Sequence, residues 1–213
     1  MPDPSQEQRG LDRKDWIDAG RLVLIEKGIT GIRLRALSES LGVTTGAFYW
    51  QYRKLEELLE DIRQDWARRN TDPFTRAIST AGPSGVRQYL AYVRTLVLEN
   101  EFNPRYDNAI RDWAHSDART ADVLRGIELF RIDQLRAVFE AMGFKGQAAL
   151  IRARVTYFHQ AGYNAMQITE TLEERLKNIP YYAEILTDRR DLLPLGSAAA
   201  VRDFLLDPPD RVQ

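Results

Sequence analysis

Between Ile32 and Lys54 four cations, Arg33, Arg35, Arg53 and Lys54, stand against a single acid, Glu39. Just beyond lie Glu56, Glu57, Glu60 and Asp61. A basic patch beside an acidic helix start vanishes into a formal net charge of −1. Clustered guanidinium and ammonium groups are nonetheless what neutralising nucleic-acid phosphates requires. Inside the basic stretch runs LGVTTGAFYWQY, residues 41–52. Gly42 supplies a left-handed turn that a side chain would strain, and Thr44 caps the helix that follows. At that helix start Thr44, Thr45 and Gly46 would face base edges and phosphates, and its backbone N–H groups favour an anion. The small pair Gly46 and Ala47 lets the helix lie close to a DNA backbone, while Tyr49 and Trp50 project from its outer half. Such a helix fits a major groove about 12 Å wide. Tyr49 and Trp50 could instead be packing residues of a helical hairpin. The coincidence of turn, small residues and flanking cations favours DNA contact.

These residues need a frame of helices. Trp16, Ala19, Leu22 and Val23 predict an apolar stripe on a helix over 11–27, closed by Gly28. Leu34, Leu37 and Leu41 predict a second helix over 34–41, and the recognition helix spans 45–51. Leu37, Leu41, Val43 and Phe48 then pack the pair against the first helix. A fourth helix runs from Leu55 past Trp66 to about Arg69. A loop with Pro73, Gly82 and Pro83 follows, then helices over 86–101, 104–115, 119–142 and 146–168. Gly143 with Phe144 behind it reads as a glycine stop with a hydrophobic contact. The chain then gives 172–177, a break near Pro180, a turn to Leu186 and a last helix over 197–206, ended by Pro208 and Pro209. Strand-like alternation is absent. The fold class is all-α: an N-terminal three-helix helix-turn-helix domain joined by a linking helix to a larger helical effector-binding and dimerisation domain. The boundaries are 1–54, with 1–10 disordered, and 55–213, with 55–69 as the linking helix.

Composition excludes much else. The 213 residues hold no cysteine, so disulfides and thiolate metal sites are ruled out. No apolar run approaches the roughly 20 residues of a membrane span, and the polar N-terminus is no signal peptide. A cytoplasmic protein with no membrane partner is expected. Phosphate-binding loop, zinc-protease, hydrolase and dinucleotide motifs are missing. No enzyme, cofactor or metal is therefore expected; His115 and His159 are the only histidines and stand far apart in sequence.

The stretch from Trp16 to Leu59 resembles the DNA-binding domain of the TetR family of repressors. The resemblance rests on Ala19 in the first helix, Gly28-Ile-Thr-Gly31, Leu37, LGVTTGAFYWQY and Glu56-Glu57-Leu58-Leu59. A generic helix-turn-helix lacks that aromatic ending before an acidic helix start. Farther on, AHSDART (114–120), Arg152-Ala-Arg154 with Gly162, and Glu174-Arg-Leu176 through Pro180 and Leu186 are similar to one type of effector domain in the family. The resemblance implies that Arg35 reaches DNA, that Thr45 and Gly46 sit near bases, and that Tyr49 holds a phosphate. Two positions depart from the family pattern. Arg33 stands where Ser or Thr usually caps the second helix, and Leu55 stands where lysine usually precedes Glu56, so Lys54 takes that phosphate contact. The resemblance also implies a homodimer joined by its last helices. The small residues Ala149, Ala153 and Ala161 mark a face on one of them, and a closed dimer implies a near-palindromic site on double-stranded DNA.

The rest of the chain offers aromatic residues at helical spacing, most of them core. A subset, Tyr92, Trp113, Phe130, Phe158 and Tyr163, would line a pocket beside the linking helix. It would suit a flat, apolar effector oriented by His159 or Asn164. Two other classes stay open: a regulator controlled by a protein partner, and an all-helical enzyme, for which no nucleophile–base or metal spacing exists. An apolar cavity of a few hundred Å³ favours the small ligand; a filled core favours the protein partner.

Overall fold

The computed structural model describes residues 11–99 and 101–208; Met1–Gly10 and Pro209 lie outside the described residues. Among these residues there are ten α-helices and no strand: α1 Arg13–Lys27, α2 Leu34–Ser40, α3 Thr45–Phe48, α4 Leu55–Thr80, α5 Gly85–Leu98, α6 Pro104–Ala114, α7 Ala118–Ala141, α8 Gln147–Ala165, α9 Leu172–Thr187 and α10 Ala198–Leu206. The all-α expectation holds. No described helix is long and apolar enough to cross a membrane.

Two helices run through prolines where the sequence predicts an interruption. α4 continues past Arg69 to Thr80 with Pro73 inside it, and α9 continues through Pro180 to Thr187. Proline in a helix interior removes an N–H and crowds the carbonyl four residues back, at roughly 3 kcal/mol. Both rings are buried, so packing of the surrounding core offsets the local penalty. α3 is shorter than expected. Beyond Phe48 the chain tightens into turns in which Tyr49 N–H donates to the Gly46 carbonyl and Gln51 N–H to that of Phe48.

The chain divides into two compact units, Met1–Ala67 with Arg105–Leu124, and Arg68–Pro104 with Arg125–Gln213. In the first unit α1 starts on a capping box between Asp12 and Asp15. Its inward face is Trp16, Gly20 and Leu24, one turn apart. Leu22, expected on that stripe, is exposed, because the inward row runs i, i+4, i+8 from Trp16 and turns position 22 away. Trp16 meets Phe48 edge-on with ring centroids 5.2 Å apart, and Phe48 stacks on Tyr52 at 5.2 Å. Leu37 and Phe48 are fully buried; Leu41 and Val43 are half-buried.

The same unit is braced by Arg63, 6% exposed. Its guanidinium lies 4.4 Å over the Trp113 ring. It donates to Asp117 Oδ1 at 3.0 Å, Thr120 Oγ1 at 2.8 Å and Glu60 Oε2 at 3.2 Å. Asp117 also caps the start of α7 by accepting from the Thr120 N–H at 2.7 Å. Burial pushes the Asp117 carboxyl up, but the Thr120 hydrogen bonds and the Arg63 charge together hold it below its ordinary value. The serine-aspartate stretch after His115 is thus an anchor for α4, with His115 exposed at the end of α6.

The second unit has a core of Phe74, Tyr89, Leu90, Leu135, Phe139, Tyr157, Leu176 and their neighbours. Gly85 opens α5 so near the end of α7 that a Cβ would stand 2.5 Å from the Met142 backbone nitrogen. α7 ends as the sequence predicts: Gly143 has φ 99°, Phe144 N–H donates to the Phe139 carbonyl, and the two rings meet. Ala149 and Ala153 are fully buried within the core of the second unit, so the small-residue stripe of α8 faces inward. The outward face of α8 carries Ile151, Val155 and Phe158 instead, and α9 exposes Tyr181 and Ile185.

Candidate functional site

The turn from α2 to α3 is made by Gly42 with φ 67°. The Val43 N–H donates back to the Ser38 carbonyl at 3.0 Å, which fixes how α3 leaves the turn. Thr44 occupies the N-cap position, yet its side chain makes no cap hydrogen bond. The residue is exposed, as are Thr45 and Gly46 beside it. Gly46 is not demanded by internal packing, since an added Cβ would lie 3.5 Å from Thr44 Oγ1, an ordinary contact. Tyr49 is 62% exposed and Trp50 88% exposed, directly after a Phe48 locked between Trp16 and Tyr52. Large apolar rings standing in water on a rigid aromatic base are the arrangement expected of a contact surface.

Arg35 and Lys54 are also exposed. Arg35 Nε donates to Glu39 Oε1 at 2.8 Å one turn along α2. Both ends of that pair are solvated, so the pair contributes little and can be exchanged for a phosphate. Arg33 stands at the α2 N-cap without a side-chain cap bond and donates to the Thr30 carbonyl instead. The start of α4, which lacks a capping Ser or Thr in the sequence, is closed by Glu57, whose carboxylate accepts from the Arg53 backbone N–H at 3.1 Å. Arg35, Thr44, Thr45, Gly46, Tyr49, Trp50 and Lys54 are thus all exposed in the first unit.

The second unit holds a cavity of about 100 Å³, walled by α5, α8 and α9. Val93, Leu96, Val97, Ile179 and Leu186 give it an apolar lining. His159, Gln160 and Tyr163 line it from α8. It is smaller than the few hundred Å³ of a pocket for a drug-sized molecule. Burial lowers the His159 pKa against a weaker opposing pull from Glu170, which favours the neutral ring with its one donor and one acceptor. The Tyr163 hydroxyl donates to Glu170 Oε2 at 2.9 Å, and burial together with that bond pushes its pKa up to about 12.

Of the residues read as pocket-lining, His159 and Tyr163, with Asn164, meet at this cavity. The others lie elsewhere. Tyr92 is enclosed in the core, 1% exposed. Trp113 belongs to the first unit, beneath Arg63. Phe130 and Phe158 face outward, and their inward neighbours are Arg131 and Tyr157. One step along a helix turns a side chain by about 100°, so the burial of Arg131 and Tyr157 forces the adjacent rings out. All residues lining the cavity belong to the second unit, and none comes from 55–69.

Nothing in the sequence marks Arg131, yet it organises this interior. It is 1% exposed. Its guanidinium lies 3.8 Å from the Phe74 ring centre, with Tyr92, Phe102 and Tyr157 within 5.7 Å. It donates to Asn70 Oδ1 at 2.7 Å, Tyr92 Oη at 2.7 Å and Gln160 Oε1 at 2.8 Å. Its Nε is buried and has no acceptor among the described residues.

Residues 17–62 match the family model of the bacterial regulatory proteins of the tetR family. No curated protein matches the sequence. Among solved structures, a transcriptional regulator from Rhodococcus sp. Rha1 is similar over 91% of this chain and 93% of that one, with TM-score 0.57 and 17% sequence identity. At that identity the likeness is one of fold.

Proposed function

We propose that the chain, whose residues 17–62 match the TetR-family model, is a transcriptional regulator of that family: a cytoplasmic, homodimeric repressor released from its operator by a small molecule. The observation that carries the DNA-binding part is the exposed group Thr44, Thr45, Gly46, Tyr49 and Trp50 mounted on the buried stack of Trp16, Phe48 and Tyr52. Thr45 and Gly46 face base edges, while Tyr49, Arg35 and Lys54 hold phosphates. Trp50 covers the sugar–phosphate edge beside them. The dimer is supported by the apolar face that α8 and α9 leave in solvent, Ile151, Val155, Phe158, Tyr181 and Ile185. Five large apolar side chains on two neighbouring helices form the kind of patch a monomer rarely leaves open. A two-fold dimer reads a near-palindrome with half-sites about one helical turn, roughly 34 Å, apart.

The small-molecule signal is supported by an apolar cavity that is smaller than a few hundred Å³ yet is not the filled core that would favour a protein partner. Its size suits a small effector held by His159 and Tyr163. The experiment is to select bound fragments from genomic DNA, measure affinity for the selected site against salt, and then screen compounds for release. Affinity should fall steeply as salt rises, because phosphate neutralisation releases counterions. Affinity that stays flat with salt would remove the DNA-binding assignment, and a monomer at micromolar concentration in sedimentation would remove the dimer.

A further inference from the structure

Arg131 is a buried cation whose balance is incomplete. The three side chains that accept its hydrogen bonds, Asn70, Tyr92 and Gln160, are all neutral. No carboxylate reaches it among the described residues, and its Nε–H has no acceptor there. Aromatic faces recover part of the lost hydration, but a buried charge without a counter-charge remains expensive. Gln160 connects this charge to the cavity. It is 8% exposed and lines the cavity wall. Arginine can only donate, so the oxygen of the Gln160 amide must face Arg131. That oxygen also accepts from the Tyr92 hydroxyl at 3.1 Å. With Oε1 fixed by two donors, Nε2 is the other end of the amide. No hydrogen bond engages it among the described residues, and Gln160 lines the cavity. Two N–H donors, polarised by a guanidinium behind them, are left for the cavity.

The rim differs. Glu99 is exposed and ion-paired with Arg175. Glu170 accepts from Tyr163 and, at 3.4 Å, from Asn178. Both acids are therefore engaged, and the uncompensated charge lies at the inner end.

We propose that the cavity takes a small apolar carboxylate, its acid group against Gln160 Nε2 and its carbon frame against Val93, Leu96 and Ile179. The inference rests on the reading that this cavity holds the effector and adds the effector's chemical class. An apolar cavity of ~150 Å³ encloses benzene whole; one of about 100 Å³ that opens to solvent holds a short branched chain, or a single ring that protrudes from its mouth. The carboxylate supplies the negative charge that Arg131 lacks.

The test uses the purified full-length protein without DNA and three probes of one shape: benzoate, the neutral acceptor benzamide and the cation benzylamine. Calorimetric titration should give benzoate at least tenfold tighter binding than either. In Gln160→Glu a carboxylate of the chain itself faces Arg131. That variant should melt at higher temperature than the wild type and lose benzoate affinity at least tenfold. Gln160→Leu removes the donors without adding charge and should lose benzoate binding as well, which keeps the test open if the first variant misfolds. Equal binding of benzamide or benzylamine, or wild-type benzoate affinity in either variant, overturns the proposal. If none of the probes binds but another small molecule releases the operator, this inference fails and the regulatory reading survives. If no small molecule of any kind binds or releases it, both fail.

Discussion

Each compact unit is organised around one buried arginine, and the two are neutralised differently. Arg63 in the first unit meets two carboxylates, Glu60 and Asp117, together with Thr120 and the Trp113 face. Arg131 in the second is buried more deeply and meets only neutral oxygens and aromatic faces. The first arrangement is electrically closed. It ties α4 to the start of α7 and asks nothing of a ligand. The second is open, and its open side leads through Gln160 to a cavity. Burial alone does not separate a structural arginine from a functional one; what balances the charge does.

The largest expected effect is on the closed site. Arg63→Met strands Asp117, and should cost about 2–3 kcal/mol in denaturant unfolding, at or below the low end for breaking a buried pair because both acids are one-third exposed. Next come the reading residues. Thr45→Ala should cost about 1–3 kcal/mol of affinity for the preferred site and change base preference there. Tyr49→Ala should weaken binding to all sequences alike. Neither should alter the unfolding midpoint, since both side chains are exposed; a Tyr49→Ala protein that melts early would make that ring a packing residue. Arg131→Met should come third, within about 1 kcal/mol of the wild type, because removing a poorly compensated buried charge offsets the acceptors left behind. A larger loss than for Arg63→Met would break the comparison outright. The smallest effect is a dependence on pH. Asp117 and Glu60 both have lowered pKa values, Glu60 chiefly through its hydrogen bond from Arg119. Their stabilisation is fully present above their unfolded values, near pH 4, and is lost as pH falls through the folded ones. The penalty of Arg63→Met should therefore shrink below about pH 4, while that of Arg131→Met stays level.

The helix-turn-helix was legible because its signals are local. Gly42 must turn, Phe48 must be buried, and small Gly46 beside exposed Tyr49 says which side faces out. The prolines were not legible, because Pro73 and Pro180 are held inside helices by burial that no window of sequence reports. The interior of the second unit was read by a rule that places aromatics inside and charges outside. That rule chose Phe130 over Arg131. His159 stands out in the sequence as a polar group among apolar neighbours and Tyr163 as one of the aromatics, and both line the cavity of the second unit. Gln160 is not legible in sequence because its importance depends on an arginine twenty-nine positions away.

The placement of the four tryptophans has an optical consequence. Trp16, Trp66 and Trp113 are buried, Trp50 stands almost wholly in water, and all four belong to the first unit. Emission excited at the red edge of the indole band, beyond tyrosine absorption, therefore comes from the first unit, while circular dichroism reports on both. Iodide or acrylamide should strip away a single red-shifted component, that of Trp50, and leave a blue-shifted remainder. Added operator should shield that component from the quencher. The native chain thus carries its own unlabelled reporter of DNA occupancy.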